Sequence, residues 1–318
     1  MPTEPGHDEL TSRIAWRCDE AVPSVVRTAG AELAAAFGAS ARAVIAYGSC
    51  IRDTDPTDGL LDLYVIVSDY RSAYARRWLG WANRCLPPNV FYAEFADGDE
   101  ATVRVKYAVV SLNDFERGIR QALLPYLWGR FAQPVRLVWY RDERARERVL
   151  VSLKAAVLRL LAVTCPVSGD HVTADALWSH ALGLSYATEL RPEAPERARG
   201  IVARDAGYYR ALTRAAVDSG HLALTPDLDG TFYHNQAGRW ACRSARLAWF
   251  ARRWLGRLAA VGRLMKASLT FRGGVDYAAW KIERHTGEAV TVTPRLRRYP
   301  WIFGWGVLWR LLRRRLLG

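Results

Sequence analysis

The run Ala43-Val44-Ile45-Ala46-Tyr47-Gly48-Ser49-Cys50 and the run Leu61-Asp62-Leu63-Tyr64-Val65-Ile66-Val67 contain two short apolar strands, Ala43–Tyr47 and Leu61–Val67. The first ends on Gly-Ser, and the second carries a single acid among apolar residues. Ala-rich Ala21–Phe37 predicts a helix before them, and Tyr70–Cys85 predicts one after them. Asn89–Phe95 and Ala101–Val110 predict paired strands joined by a turn at Asp97-Gly98-Asp99, with a further strand, Val135–Trp139, after Pro134. Strands interleaved with helices over residues 1–140 predict an α/β or α+β sheet domain.

Beyond Arg141 the periodicity becomes helical. Arg144–Val163 places Val149, Leu153, Ala156, Val157 and Leu160 on one stripe. Ala174–Leu190, Pro195–Val217 and the basic stretch Ala241–Leu264 predict further helices, with turn residues at Pro226, Asp227 and Gly230. This predicts three regions: a sheet domain over 1–140, a helical domain over 141–240, and a basic region over 241–318.

The 318 residues are 50% apolar and 24% charged, enough apolar side chains to fill two cores and to exclude a wholly disordered chain. Lys and Arg outnumber Asp and Glu by 45 to 32, and a net charge of +13 attracts polyanions or anionic surfaces. The five cysteines, Cys18, Cys50, Cys85, Cys165 and Cys242, form no CxxC pair, which argues against a disulfide scaffold or a Cys-based zinc site. The histidines show no zinc-type spacing. The first twenty residues carry Glu4, Asp8, Glu9, Asp19 and Glu20 without an apolar core. They resemble neither a secretory signal nor a transit peptide, so the expected location is a bacterial cytoplasm. No run of about 18 apolar residues occurs, so no membrane span is expected.

A strand that ends in Gly-Ser can set bare N–H groups and a hydroxyl against phosphate oxygens, because glycine has no β-carbon to block the approach. An acid on the neighbouring strand can hold Mg²⁺ against those phosphates. Gly-Ser is also a common turn, and a strand-initial Asp a common cap. Asp62, however, stands within an apolar strand, where an unpaired carboxylate is costly and calls for a cation or donor. Asp58, in the preceding loop, offers a second oxygen ligand.

This arrangement resembles the nucleotidyltransferase superfamily related to DNA polymerase β. Ala46-Tyr47-Gly48-Ser49 with Leu61-Asp62-Leu63 is more closely similar to the mitochondrial translocator assembly and maintenance family, the mitochondrial-type CDP-diacylglycerol synthases (phosphatidate cytidylyltransferases). Val105-Lys106-Tyr107-Ala108-Val109-Val110-Ser111, Gly129-Arg130-Phe131-Ala132-Gln133-Pro134-Val135, and Gly183-Leu184-Ser185-Tyr186 with Arg191 follow in the family's order. Lys266 to Gly274 is a weaker echo. The resemblance implies a nucleotidyltransferase-like mixed sheet followed by a mainly helical domain of winged-helix form, and the residues themselves predict a basic amphipathic C-terminal helix after it, an α+β fold. It departs from the wider superfamily at Tyr64, where Asp-x-Asp has its second acid, leaving Asp58 and Glu94 as candidates for a second metal ligand.

On this reading Asp62 and Lys106 are catalytic, with Asp62 and Asp58 on the metal. Tyr47, Gly48, Ser49 and Arg130 bind nucleotide, while Tyr186, Arg191, Lys266 and Thr270 receive the substrate phosphate. Arg104 shares the strand face of Lys106 and adds positive charge there. The tail joins Trp301, Phe303, Trp305 and Trp309 to arginines that include Arg313 and Arg314, the composition of a helix lying on an anionic membrane surface. A terminal helix packed on the protein is the alternative. A nucleic-acid partner is not expected, because the aromatics cluster instead of alternating with basic residues. The expected activity is Mg²⁺-dependent conversion of CTP and phosphatidic acid to CDP-diacylglycerol and pyrophosphate. The alternatives are nucleotidyl transfer to a small alcohol, an antibiotic or a protein, or a non-catalytic membrane or nucleic-acid adaptor.

Overall fold

The computed structural model describes residues 8–51, 60–97, 101–189, 195–270 and 292–298. Helices α1 (Glu9–Asp19) and α2 (Ser24–Phe37) precede strands β1 (Ala41–Tyr47) and β2 (Leu60–Val67). Next come α3 (Tyr70–Ala73), α4 (Arg77–Cys85), β3 (Asn89–Asp97), β4 (Ala101–Ser111), α5 (Leu112–Arg120), α6 (Trp128–Phe131) and β5 (Arg136–Tyr140). The five strands form one mixed sheet in the order β3-β4-β2-β1-β5, in which only the β2–β4 pair is parallel. This is the expected α+β architecture.

Alternation along β2 sends Leu61, Leu63, Val65 and Val67 to one face, where they pack with Val26, Ala29 and Leu33 of α2. Tyr64 and Ile66 point to the other face, into a core shared with the long helix α7 (Glu143–Thr164). After α7 come β6 (His171–Thr173), α8 (Ala174–Tyr186), α9 (Pro195–Arg204), α10 (Ala206–Asp218) and the strands β7 (Leu224–Pro226) and β8 (Phe232–Asn235). The last three strands of this series pair in the order β6-β8-β7. Helix α11 (Arg239–Thr270) follows, with a five-residue helix at Pro294–Arg298. The core runs without a break across residue 140: Tyr64, Phe115 and Trp128 belong to the same buried cluster as Val157, Trp178 and Tyr209.

Several elements differ from the sequence expectation. α1 was not expected; Asp8 caps it by accepting from the Thr11 N–H at 2.9 Å, and Leu10, Ile14 and Cys18 bury one side. The helix expected from Ala21 starts at Ser24, after Pro23. The helix expected over Tyr70–Cys85 breaks where Tyr74 turns extended, and that expected over Pro195–Val217 breaks at Asp205. By length and composition the stretch Glu143–Val167 could cross a membrane, but Val149, Leu153, Ala156, Val157 and Leu160 are buried in the protein's own core.

Candidate active site

The β-sheet registers assemble the site. Tyr47 lies opposite Asp62 in the β1–β2 pairing, and Asp62 lies opposite Lys106 in the β2–β4 pairing. By strand alternation this row shares the face of Ile45, Tyr64 and Ala108, at the edge of the helix-covered core. Gly48 turns the chain out of β1 at φ +81°, a conformation that favours glycine, and a Cβ there would stand 3.7 Å from Asp62 Oδ2. The Cys50 thiol reaches the Tyr47 carbonyl at 3.1 Å, folding the Gly48–Ile51 turn back onto the strand end.

Lys106 Nζ stands 3.5 Å from Asp62 Oδ1. Beyond that ion pair, Oδ1 is shut off from solvent and receives no hydrogen bond. Burial, and then the Asp62 carboxylate, push the Tyr47 phenol well above its ordinary pKa, so it stays protonated and accepts from Arg130 Nη1 at 3.1 Å. The Arg130 guanidinium lies 5.2 Å from the ring centres of both Tyr47 and Tyr126 and 3.6 Å from Glu189 Oε1. Arg263 of α11 covers the Tyr126 ring at 4.0 Å. The Tyr186 hydroxyl donates to Gln133 Oε1 at 2.8 Å.

These groups line one cavity of about 270 Å³, to which the sheet and the turn after β1 bring Tyr47, Gly48, Ser49, Asp62 and Lys106, and the helices and the end of α8 bring Arg130, Tyr186, Glu189, Arg197 and Arg263. Its lining holds four cationic side chains against two carboxylates, a balance that suits a strongly anionic ligand. The buried, undonated Oδ1 of Asp62 fits a cation held between the carboxylate and ligand oxygens. Among the described residues no trio of His, Cys, Asp or Glu gathers to hold a metal without such help.

Six residues expected from the sequence therefore meet with Asp62: Tyr47, Gly48, Ser49, Lys106, Arg130 and Tyr186. Lys266 does not line the cavity. It sits one helical turn beyond Arg263, and its ammonium donates to the carbonyls of Leu86 and of Pro88, the latter at 2.7 Å, tying α11 to the α4–β3 connection. Burial, and then the charge of Arg263, bring its pKa down to about 8. Arg104 and Glu94 also lie off the cavity, with Arg104 Nε 3.8 Å from Glu94 Oε1, and Glu94 accepts from Tyr92 at 2.6 Å. Glu94, a candidate second metal ligand, thus does not line the cavity that holds Asp62. Thr270 is the last residue of α11. Asp58, Arg191, Trp301, Phe303, Trp305, Trp309, Arg313 and Arg314 lie outside the described residues. Sequence reading missed Tyr126, Glu189, Arg197 and Arg263. The available signal was Arg263, which repeats at seven residues with Trp249 and Gly256 on the buried side of α11, where an arginine needs a partner.

The model of the family described as phosphatidate cytidylyltransferase, mitochondrial, matches residues 68–223. That span includes Lys106, Arg130 and Tyr186 and begins just after β2, so Gly48, Ser49 and Asp62 rest on the geometry above. No curated protein matches the chain. Among solved structures, a nucleotidyltransferase-like protein from Exiguobacterium sibiricum 255-15 aligns over 92% of this chain and 91% of its own at 13% identity, with a loose superposition at a TM-score of 0.27.

Proposed function

We propose, from a chain that residues 68–223 make an enzyme of the phosphatidate cytidylyltransferase family, that this cavity transfers the cytidylyl group of CTP to phosphatidic acid at a membrane surface with Mg²⁺. One observation carries the reading: the Asp62 carboxylate, with a buried oxygen that lacks a donor, faces the Gly48-Ser49 strand end inside a cavity rich in cations. A phosphate oxygen of phosphatidic acid attacks the α-phosphorus of CTP, the bond to the β-phosphate breaks, and pyrophosphate leaves with the electron pair. The attacking oxygen is already anionic near neutral pH, so no strong base is needed, and positioning and charge neutralisation dominate.

Mg²⁺ held by Asp62 and triphosphate oxygens would neutralise charge on the leaving pyrophosphate. Gly48 and Ser49 offer the triphosphate N–H and O–H donors. With Asp62 holding a cation, Lys106 would be available to phosphate oxygens, and Arg130, whose guanidinium donates to the Tyr47 hydroxyl, would hold a second phosphate. The helix–strand–helices–hairpin order over residues 141–240 supports a winged-helix reading of that region, which lends Ser185, Tyr186 and Glu189 to the cavity.

The test is pyrophosphate release by the purified chain with Mg²⁺, CTP and phosphatidic acid, beside a thermal-shift comparison of four nucleoside triphosphates. Release that Asp62→Asn abolishes, with selective stabilisation by CTP, is expected. No release, or stabilisation by another nucleotide alone, overturns the reading.

A further inference from the structure

The histidines are scattered along the sequence, but the fold brings two of them together. His171 in β6 lies opposite His234 in β8 in the antiparallel β6–β8 pairing. Strand alternation separates the two faces of this small sheet: Val172, Tyr233 and Leu224 are buried against the core, whereas His171 and Thr225 are exposed and His234 is half-buried. Thr225 of β7 lies opposite His234 on its other side, so the three form one row across the water-facing side.

The two imidazole rings stand 4.5 Å apart, centre to centre, with their planes at 72°. Among the described residues neither ring has a hydrogen-bond partner. Edge-to-face packing alone would give such a spacing, but it gains little for two polar rings that face water. A divalent transition ion accounts for both the spacing and the unpartnered nitrogens. With metal–nitrogen bonds of about 2.0–2.1 Å, each ring centre lies about 3.2 Å from the ion, so two rings bound at about 90–110° to each other stand about 4.5–5.2 Å apart. The observed separation meets the lower end of that range. Cross-strand β-carbons lie about 4.5–5.5 Å apart, so both side chains leave the sheet side by side. Rotation about the broad outer torsion of each histidine then aims one nitrogen of each ring at a shared point.

We infer that His171 and His234 form a binding site for a borderline divalent transition ion such as Zn²⁺ or Ni²⁺, with water completing its coordination. Two imidazoles favour these ions over Mg²⁺, which takes oxygen ligands, and neither histidine lines the cavity that holds Asp62. The site therefore stands whether or not the proposed reaction does. The ion would clip β6 to β8, strands of three and four residues that are marginal by themselves. Because β8 leads through a short connection into α11, the clip fixes the hairpin from which α11 departs.

The test is calorimetric titration of the whole chain, stripped of metal by a chelator and dialysed, with Ni²⁺, Zn²⁺ or Mg²⁺, beside thermal melts. The wild type should take up one Ni²⁺ or Zn²⁺ per chain at this site, and its Tm should rise with the ion. His171→Gln and His234→Gln should each weaken that uptake about tenfold or more, because either change leaves a single ligand where two acted together. The double variant should be scarcely weaker than either single one. Each variant should melt as the metal-free wild type does and lose the rise in Tm on adding metal. Excess Mg²⁺ should leave Ni²⁺ uptake unchanged. Uptake that persists in both single variants overturns the site, as does uptake that Mg²⁺ abolishes. Absence of Ni²⁺ and Zn²⁺ uptake at millimolar concentration overturns it too, and reduces the pair to a ring contact.

Discussion

Asp62 and Lys106 face each other across the parallel β2–β4 pairing, with the ammonium 3.5 Å from a buried carboxylate oxygen that has no other partner. A divalent cation held by Asp62 would compete with this ion pair and leave Lys106 available to phosphate. Both side chains are partly exposed, so their removal disturbs chemistry more than folding. Asp62→Asn is expected to lower kcat by about 10²–10³-fold, the range for losing one preorganised electrostatic group, with little change in Tm. Lys106→Met should raise the KM for CTP. Steady-state pyrophosphate release beside thermal melts checks both.

Gly48 tests the strand end. At φ +81° a side chain is strained, and its Cβ would sit beside Asp62 Oδ2 where a ligand phosphate must approach. Gly48→Ala is expected to cost about 1–2 kcal/mol of stability and to weaken nucleotide binding beyond what the lost stability explains. Chemical denaturation and a calorimetric CTP titration separate the two effects.

The seat of α11 depends on another glycine. A Cβ at Gly256 would lie 2.6 Å from the Thr188 carbonyl oxygen, and backbone cannot move aside as a flexible side chain would. Gly256→Ala should destabilise by about 1–3 kcal/mol through overpacking and, by lifting α11, draw Arg263 away from Tyr126. A lower Tm together with a raised KM for CTP, whose phosphates the cavity's cations attract, is the expected signature; an unchanged KM would show that Arg263 is not one of the cations that hold it.

Lys266 sets a pH dependence. Its folded pKa, about 8, lies below the ordinary 10.5, so between these values the unfolded chain binds more protons than the folded one. Stability contributed at this position therefore rises as pH climbs from about 8 towards 10.5, and the full penalty of the buried charge is present below about 8. Lys266→Met, which cannot titrate, should flatten that rise. Urea denaturation at several pH values across the window checks the sign.

The sheet was legible because period-two alternation in Leu61–Val67 and Ala101–Val110 reports directly which side is buried. Gly48, Ser49 and Asp62 were legible because a glycine turn and a strand-borne acid carry local chemical meaning. α1 was less legible because Glu9, Arg13, Arg17 and Asp19 break up a narrow apolar stripe, although Asp8 and the spacing of Leu10, Ile14 and Cys18 mark it. Arg263 and Glu189 could not be assigned by local pattern. They reach the cavity through the packing of α11 against β3 and of the end of α8 against α6, and periodicity records which side of an element is covered but not what covers it. Lys266 shows the reverse: a basic residue near a resemblance block reads as a phosphate ligand until the nearby carbonyls of Leu86 and Pro88 are seen to occupy it.

The cavity opens with Tyr47 in the first strand and closes with Arg263 in the last long helix described. While the polypeptide is being synthesised, no working pocket exists until residue 263 has left the ribosome and α11 has docked. Turnover is thus a stringent reporter of completed folding, and a chain truncated before α11 should be silent in any activity screen even if its sheet is native.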